Sequence, residues 1–477
     1  MRPPSGGGYL DDYEPATGKI YAELPESTDS DLEMAVEAAR GAFPAWSSAP
    51  AEFRAAALRR LARAIGERAE ELARAETIDN GKPISVAENV DIPRAAANLQ
   101  FFAAAATQFS SEAHITDSTT LNYTLHQPVG VVGCISPWNL PLYLFTWKIA
   151  PALAAGNCVI GKPSEVTPMT AWLFSQICLE AGLPPGVLNV LHGSGPVVGQ
   201  SIVEHPEIRA ISFTGGTATG GILARTAAPL FKRLSLELGG KNPSLVFDDC
   251  NMGQALEGVL RAAYSNQGQI CLCGSRILVQ RSIFERFRDD LVARIRTLRI
   301  GDPLDRDTDQ GAVVSAPHFD KILSRIRIAV EEGGDILCGG RAVSPDSPRC
   351  AAGWFVEPTL IQGLEQGCTT NQEEIFGPVA TIAPFDDEED AIALANGTRY
   401  GLAASLWSRD VDRCHRVAQR LQAGLVWVNC WMVRDLRTPM GGMKDSGVGR
   451  EGGMDAMRFF TEAKNICIST RQGDQND

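Results

Sequence analysis

The chain has 477 residues, of which 44% are hydrophobic and 21% charged, with a net charge of −13. That length exceeds a single core and implies roughly two or three units, and the acidic balance argues against a nucleic-acid or anionic-membrane partner. No apolar run approaches transmembrane length, and Met1-Arg2-Pro3-Pro4-Ser5-Gly6-Gly7-Gly8 lacks an apolar signal core, so a flexible N-terminal arm on a cytoplasmic protein is expected.

In chain order, residues 30–43 read as a helix, with Ser30 and Glu33 at capping-box spacing and Pro44 beyond its end. Residues 51–78 carry Leu58, Leu61, Ile65 and Leu72 at helical spacing, closed by Asn80-Gly81. Pro93 opens a helix through Phe102, since proline is tolerated in a first turn. Leu121, Tyr123 and Leu125 alternate, and residues 121–127 and 466–468 read as strands with exposed edges, which invite pairing with another chain. From Gly130 short apolar runs (131–135, 158–160, 187–191, 210–213) alternate with amphipathic stretches (142–154, 169–181, 197–203, 217–227), and 234–236 and 244–247 are strand-like. Such alternation predicts a parallel sheet covered by helices. A second series follows, with strands at 277–279, 356–361, 380–384 and 425–428 and helices at 282–298, 316–332, 388–396 and 410–421.

The twelve cysteines are scattered, and Cys271 and Cys273 stand too close for an ordinary disulfide or a CxxC motif. Free thiols in a reducing compartment are therefore expected. His114, His126, His192, His205, His318 and His415 never cluster, so no metal site is indicated.

Three segments carry chemistry. Cys271 ends the polar run Asn266-Gln267-Gly268-Gln269-Ile270, Glu237 precedes Leu238-Gly239-Gly240-Lys241-Asn242-Pro243, and Asn139 follows Pro137-Trp138. A thiol attacks as thiolate, an amide N–H stabilises a developing oxyanion, and a carboxylate activates water. Each residue alone has a plain reading: Cys271 as a small buried side chain, Asn139 as a helix cap, Glu237 as a partner of Lys241. Gly215-Gly216-Thr217-Ala218-Thr219-Gly220 follows a strand and opens a helix, a place where phosphate binds, though its spacing is also that of a structural turn. Lys162 and Glu165 follow a strand end and could equally be a surface ion pair. Phe376 alone would be assigned to the core.

Together these segments resemble the aldehyde dehydrogenase superfamily. Lys162-Pro163-Ser164-Glu165, Phe213-Thr214-Gly215, Glu373-Glu374-Ile375-Phe376-Gly377-Pro378 and Gly441-Gly442-Met443-Lys444-Asp445-Ser446-Gly447 match in the same order and extend the resemblance over nearly the whole chain. The resemblance implies an α/β fold: a Rossmann-like NAD-binding domain (1–110 and 129–238), an α/β catalytic domain (239–445) and a small β bridging flap (111–128 and 446–477) that assembles a homodimer or homotetramer. It implies NAD as cofactor, with Ser136 and Trp138 beside it. Gly215 and Gly216 would lie against the diphosphate, Gly216 standing where relatives often have serine. Lys162 and Glu165 would hold the adenosine ribose, and Glu374 and Phe376 the nicotinamide ribose and ring. A carboxylate beside the ribose 2′ position would accept a hydrogen bond from NAD and repel the NADP phosphate. Cys271 would form a thiohemiacetal and then a thioester, Asn139 would hold the oxyanion, and Glu237 would activate water. Lys148 matches a family lysine near the site.

Asp91-Ile92-Pro93-Arg94, Trp138-Asn139-Leu140-Pro141-Leu142 and Asn429-Cys430-Trp431-Met432-Val433-Arg434-Asp435-Leu436-Arg437 look like the 2-aminomuconate and 2-hydroxymuconate semialdehyde dehydrogenase subgroup. That implies an unsaturated aldehyde bearing a carboxylate, clamped by Arg94 and Arg434, since arginine pairs carboxylates bidentately. The plain readings are a solvated Arg94 near Asp91 and a salt bridge from Arg434 to Asp435 or another acid. Retinal and aliphatic aldehydes are alternative substrates. A coenzyme-A-acylating enzyme and a non-catalytic binding protein are alternative classes, against which the intact Glu237, Cys271 and Asn139 stand.

Overall fold

Val131–Ile135, Cys158–Lys162 and Ile208–Thr214 are almost continuously buried, as strands covered on both faces must be. In the computed structural model, which describes residues 2–470, they form the middle of a six-stranded sheet. Its order is Gly447–Val448, Arg233–Glu237, Ile208–Thr214, Val131–Ile135, Cys158–Lys162, Leu188–Val190. Every pairing is parallel except that of Gly447–Val448 with Arg233–Glu237. The register sets Ile135 beside Lys162 and Phe213, and Thr214 beside Glu237. Four strands thus end at one edge of the sheet, the usual place for a ligand in an open α/β fold.

The second sheet has seven strands, in the order Asp335–Cys338, Thr359–Gln362, Val379–Phe385, Arg276–Gln280, Pro243–Val246, Ala403–Trp407, Leu425–Val428. Only its first pair is antiparallel. A third, antiparallel sheet joins Thr461–Ser469, Thr120–Pro128 and Ala113–Asp117.

The largest core packs helices against the first sheet. Every residue of the helix Pro141–Ala154 is buried, which marks an interior helix rather than an amphipathic one. Among the described residues no helix is long and apolar enough to cross a membrane.

Several boundaries differ from the sequence reading. The first helix runs Asp29–Ser48, with Pro44 inside it. It starts at Thr28, whose backbone N–H donates to the Asp31 carboxylate at 2.8 Å, and not at a Ser30–Glu33 box. It continues past Pro44 because Trp46 is drawn into the core, where its indole N–H donates to the Leu153 carbonyl at 3.2 Å. The stretch 51–78 is two helices, Ala51–Glu67 and Ala69–Asn80, broken at Arg68 (φ −111°, ψ 23°). The helix at Pro93 starts one residue earlier and runs Ile92–Gln108, after a π turn Ala87–Asp91. The strand at 356–361 is confined to Thr359–Gln362. Ser5 N–H donates to Asp31 at 3.0 Å, so the expected arm is tied to the first helix. Residues 121–127 belong to the central strand of the small sheet, whose edges are Ala113–Asp117 and Thr461–Ser469. The expected flap segment 446–477 is divided, since Gly447–Val448 joins the first sheet and only Thr461–Ser469 joins the third. Met1 and residues 471–477, included in the expected arm and flap, lie outside the described residues.

Trp46 fills core volume and makes a buried hydrogen bond, so Trp46→Ala should lower stability by about 3–5 kcal/mol, read from urea unfolding of the purified protein.

Candidate active site

The turn that presents Cys271 is built from left-handed residues. Asn266, Gln267 and Gly268 have φ of 51°, 54° and 68°. Asparagine and glycine tolerate that region, and at Gly268 a Cβ would stand 2.0 Å from the Gly377 carbonyl. The turn follows the helix Met252–Tyr264 and leaves Cys271 partly exposed. Asn242 Nδ2 pins the next stretch by donating to the carbonyls of Cys271 (2.7 Å) and Cys273 (2.9 Å).

Cys271 and Asn139 line one pocket of about 240 Å³, together with Trp138, Gly215, Gly216, Glu374 and Phe376. The Asn139 amide donates to the Gln269 carbonyl at 2.9 Å, so it faces the thiol-bearing turn. Phe376 sits at φ 64°, unusual for a bulky residue, and its ring packs perpendicular to Trp138 at 5.2 Å. His318 and Lys321, from the helix Ala316–Glu331, line the same pocket and were not singled out in the sequence. His318 Nε2 lies 2.7 Å from the Phe376 carbonyl; burial pushes the imidazole down to about 4, so it is neutral and donates there.

Glu237 ends its strand close to Gly441, where a Cβ would stand 2.9 Å from its Oε1. Both of its carboxyl oxygens are buried without a hydrogen-bond partner. Burial and the nearby Glu451 push it well above the ordinary carboxylate range, opposed by Lys148, Arg450 and Arg434. Lys148 donates to Glu451 (2.8 Å) and Ser212 (3.1 Å). Burial likewise raises Glu374 to about 7, although Gly240 N–H donates to it at 2.9 Å. The Cys271 thiol is pushed up by burial and by the Glu374 and Glu237 charges.

Ser136, Lys162 and Glu165 lie along the adjacent strand ends. Ser136 N–H donates to the Lys162 carbonyl at 3.0 Å, and its hydroxyl is buried without a partner. Lys162 is not a surface residue: it is buried, and donates to Glu165 at 3.0 Å, whose other oxygen accepts from Gly195 N–H at 2.8 Å. Gly216 caps the helix Thr217–Ala227, and a Cβ there would meet nothing within 4 Å.

Arg94 and Arg434 converge on one ring. Their guanidinium carbons both stand 5.8 Å from the centre of Trp147. Arg94 also lies over Tyr143 at 5.3 Å and donates through Nε to Asn98 Oδ1 at 3.1 Å. Arg94 Nη2 and Arg434 Nε are buried without a partner. Asp91 pairs with Lys82 and Asp435 with Arg437, and Asp435 also acts on Arg94 at longer range. Asn98, Tyr143 and Trp147 escaped the sequence reading. Their signal is i, i+4 spacing on two helices, Arg94 to Asn98 and Tyr143 to Trp147. Among the described residues no cluster suits a metal ion.

Two sheets meeting over a thiol, an amide and a buried carboxylate define an α/β oxidoreductase acting on aldehydes. The chain belongs to the aldehyde dehydrogenase family, whose pattern matches residues 2–466. It is 49% identical over 462 residues to the 2-aminomuconic semialdehyde dehydrogenase of Mus musculus, covering 96% of this chain and 95% of that one. It is 45% identical over 471 residues to the 2-hydroxymuconic semialdehyde dehydrogenase of Pseudomonas sp. (strain CF600), covering 97% and 96%. Among solved structures, the NAD+ complex of an aldehyde dehydrogenase from Bacillus cereus superposes with a TM-score of 0.96 at 37% identity, covering 98% and 95%.

A raised thiol gives a testable pH response. Alkylation of Cys271 by iodoacetamide in the cofactor-free enzyme should accelerate steadily between about pH 7 and 10 without a plateau, because the thiolate fraction keeps rising below the pKa. Glu374→Gln removes a like charge and should speed the reaction at alkaline pH, as followed by mass spectrometry.

Proposed function

We propose that the protein oxidises a short unsaturated aldehyde bearing a carboxylate, such as 2-aminomuconate 6-semialdehyde, to the acid with NAD. The observation that carries the substrate class is the pair Arg94 and Arg434, held against Trp147 with buried N–H groups left unpaired. An unpaired buried donor is costly, and a carboxylate accepts from both arginines. A neutral substrate such as retinal would leave them unsatisfied. The relatives named for 2-aminomuconic and 2-hydroxymuconic semialdehydes support the same class, and the clamp serves either one.

The residues at the strand ends suit a dinucleotide. Ser136 and Thr214 hold buried hydroxyls without partners, Gly215 and Gly216 open a helix whose free N–H groups favour phosphate, and Lys162 with Glu165 suits the adenosine ribose. Glu374 and Phe376 reach the nicotinamide end, beside Trp138. NAD, when bound there, supplies the hydride acceptor.

Cys271, having lost its thiol proton to solvent, adds through Sγ to the aldehyde carbon, and the carbonyl oxygen becomes an oxyanion that accepts from the Asn139 amide and the Cys271 backbone N–H. Loss of hydride leaves a thioester on Cys271. Glu237 then takes a proton from the attacking water. Burial and the neighbouring Glu451 raise the Glu237 carboxyl above the ordinary range, which strengthens it as a base once ionised.

We assign residues 1–110 and 129–238 to NAD binding, 239–445 to catalysis, and 111–128 with 446–477 to bridging, the last with the sheet exchange noted above. The free edge of Thr461–Ser469 supports a homodimer or homotetramer, and twelve free cysteines support a cytoplasmic location.

Losing one arginine of a buried carboxylate contact costs on the order of 2–5 kcal/mol. Arg434→Ala should therefore raise KM for a carboxylate-bearing enal at least about tenfold, equivalent to ~1.4 kcal/mol, and leave neutral aldehydes of similar length little changed. Arg94→Ala should behave alike. Equal losses for anionic and neutral aldehydes would return both arginines to structural roles.

Glu237→Gln should give one rapid burst of NADH and then slow turnover in stopped flow, because hydride leaves before water attacks. Disappearance of the burst would place Glu237 earlier, at thiol deprotonation.

A further inference from the structure

The segment that carries Asn139 is gripped from behind by the end of the helix Ala69–Asn80. Asn80 Nδ2 donates to the Trp138 carbonyl at 2.8 Å. Lys82 Nζ donates to the Asn139 carbonyl at 3.1 Å. Glu76 Oε2 accepts from Leu142 N–H at 3.4 Å. Lys82, Glu76 and Asp91 are each fully buried; the Lys82 ammonium donates to Asp91 and lies 3.5 Å from Glu76.

An ammonium has three donors. Here two face carboxylates and the third takes the main-chain carbonyl of Asn139. That carbonyl also accepts from Asn266 Nδ2 at 3.0 Å, out of the turn that leads to Cys271. Both lone pairs of one peptide oxygen are thereby fixed, one to each side of the reaction centre. A buried ion cluster is weak evidence for stability, since apolar groups of similar volume often do as well. Its geometry, however, is directed at the one backbone group whose side chain must meet a carbonyl oxygen.

We propose that Lys82, held between Glu76 and Asp91, is a positioning residue that sets the Asn139 amide through its main-chain carbonyl. This rests on Asn139 donating to the oxyanion.

The test is a double-mutant cycle read in the pre-steady-state NADH burst with a neutral aldehyde. Lys82→Met should slow the burst by at least about tenfold, because a small misplacement of a catalytic group is that costly. The Kd for NAD, from tryptophan quenching, and KM for the aldehyde should stay within about threefold, a split that general unfolding would not give. Lys82→Arg should recover part of the rate. In an Asn139→Ala background, Lys82→Met should have less than about a twofold further effect, because coupled residues are not additive. The same fold loss in both backgrounds would overturn the proposal, as would an unchanged burst in Lys82→Met. If Lys82→Met does not fold, Asp91→Asn runs through the same cycle and is judged by the same outcomes. An undiminished burst in Asn139→Ala alone would instead sink the oxyanion assignment, and is distinguishable because it appears without any change at Lys82.

Discussion

The parallel hydrogen-bond register of the first sheet is the constraint on which the site depends. It brings Ile135, Lys162, Thr214 and Glu237 to one edge, so the residues that follow each strand emerge side by side. Ser136 to Asn139, Glu165, Gly215 to Gly216 and Gly239 to Gly240 are all immediate continuations of those strands. A slip of one residue in any pairing would turn its side chains to the other face and disperse the cluster. The second sheet contributes from the opposite side, through the Cys271 turn ahead of Arg276–Gln280 and the Glu374–Phe376 stretch ahead of Val379–Phe385.

Electrostatics at this junction run against the overall charge of the chain. Burial lifts Glu237 and Glu374, and these acids in turn lift the Cys271 thiol. Burial therefore favours the uncharged forms of the thiol and of both acids at this junction. Arg434 counters this by lowering both Cys271 and Glu237. A proximal guanidinium thus favours the ionised forms of the reacting groups.

Much of this was legible in the sequence because short-range grammar governs it. Buried parallel strands read as apolar runs, Asn80-Gly81 marks a left-handed helix end (Gly81 φ 84°), and glycine turns follow the strands. Chain order then grouped Cys271, Glu237 and Asn139. What stayed hidden depends on long-range packing. Ala403–Trp407 (Ala-Ala-Ser-Leu-Trp) lies one strand in from the edge of its sheet, buried throughout, with no alternation to reveal it. Pro44 reads as a terminator, yet burial of Trp46 outweighs the lost hydrogen bond. Lys82 lies in an ordinary polar run, and its partners Glu76, Asp91 and Asn139 are brought to it only by the fold. That a single indole carries both Arg94 and Arg434 was not legible in the sequence.

The return of the chain to its first sheet has a consequence for biosynthesis. Gly447–Val448 pairs with the strand that ends in Glu237, and Glu451, just beyond, takes the Lys148 ammonium. The surroundings of Glu237 are therefore incomplete until residues past 451 of a 477-residue chain have left the ribosome. Domains generally fold as they emerge, but this pairing spans more than two hundred residues, and loop closure of that length is slow to nucleate. A nascent chain can thus form the parallel core and still expose a bare strand edge beside a buried acid. Pairing of Gly447–Val448, rather than formation of the parallel core alone, completes the surroundings of Glu237.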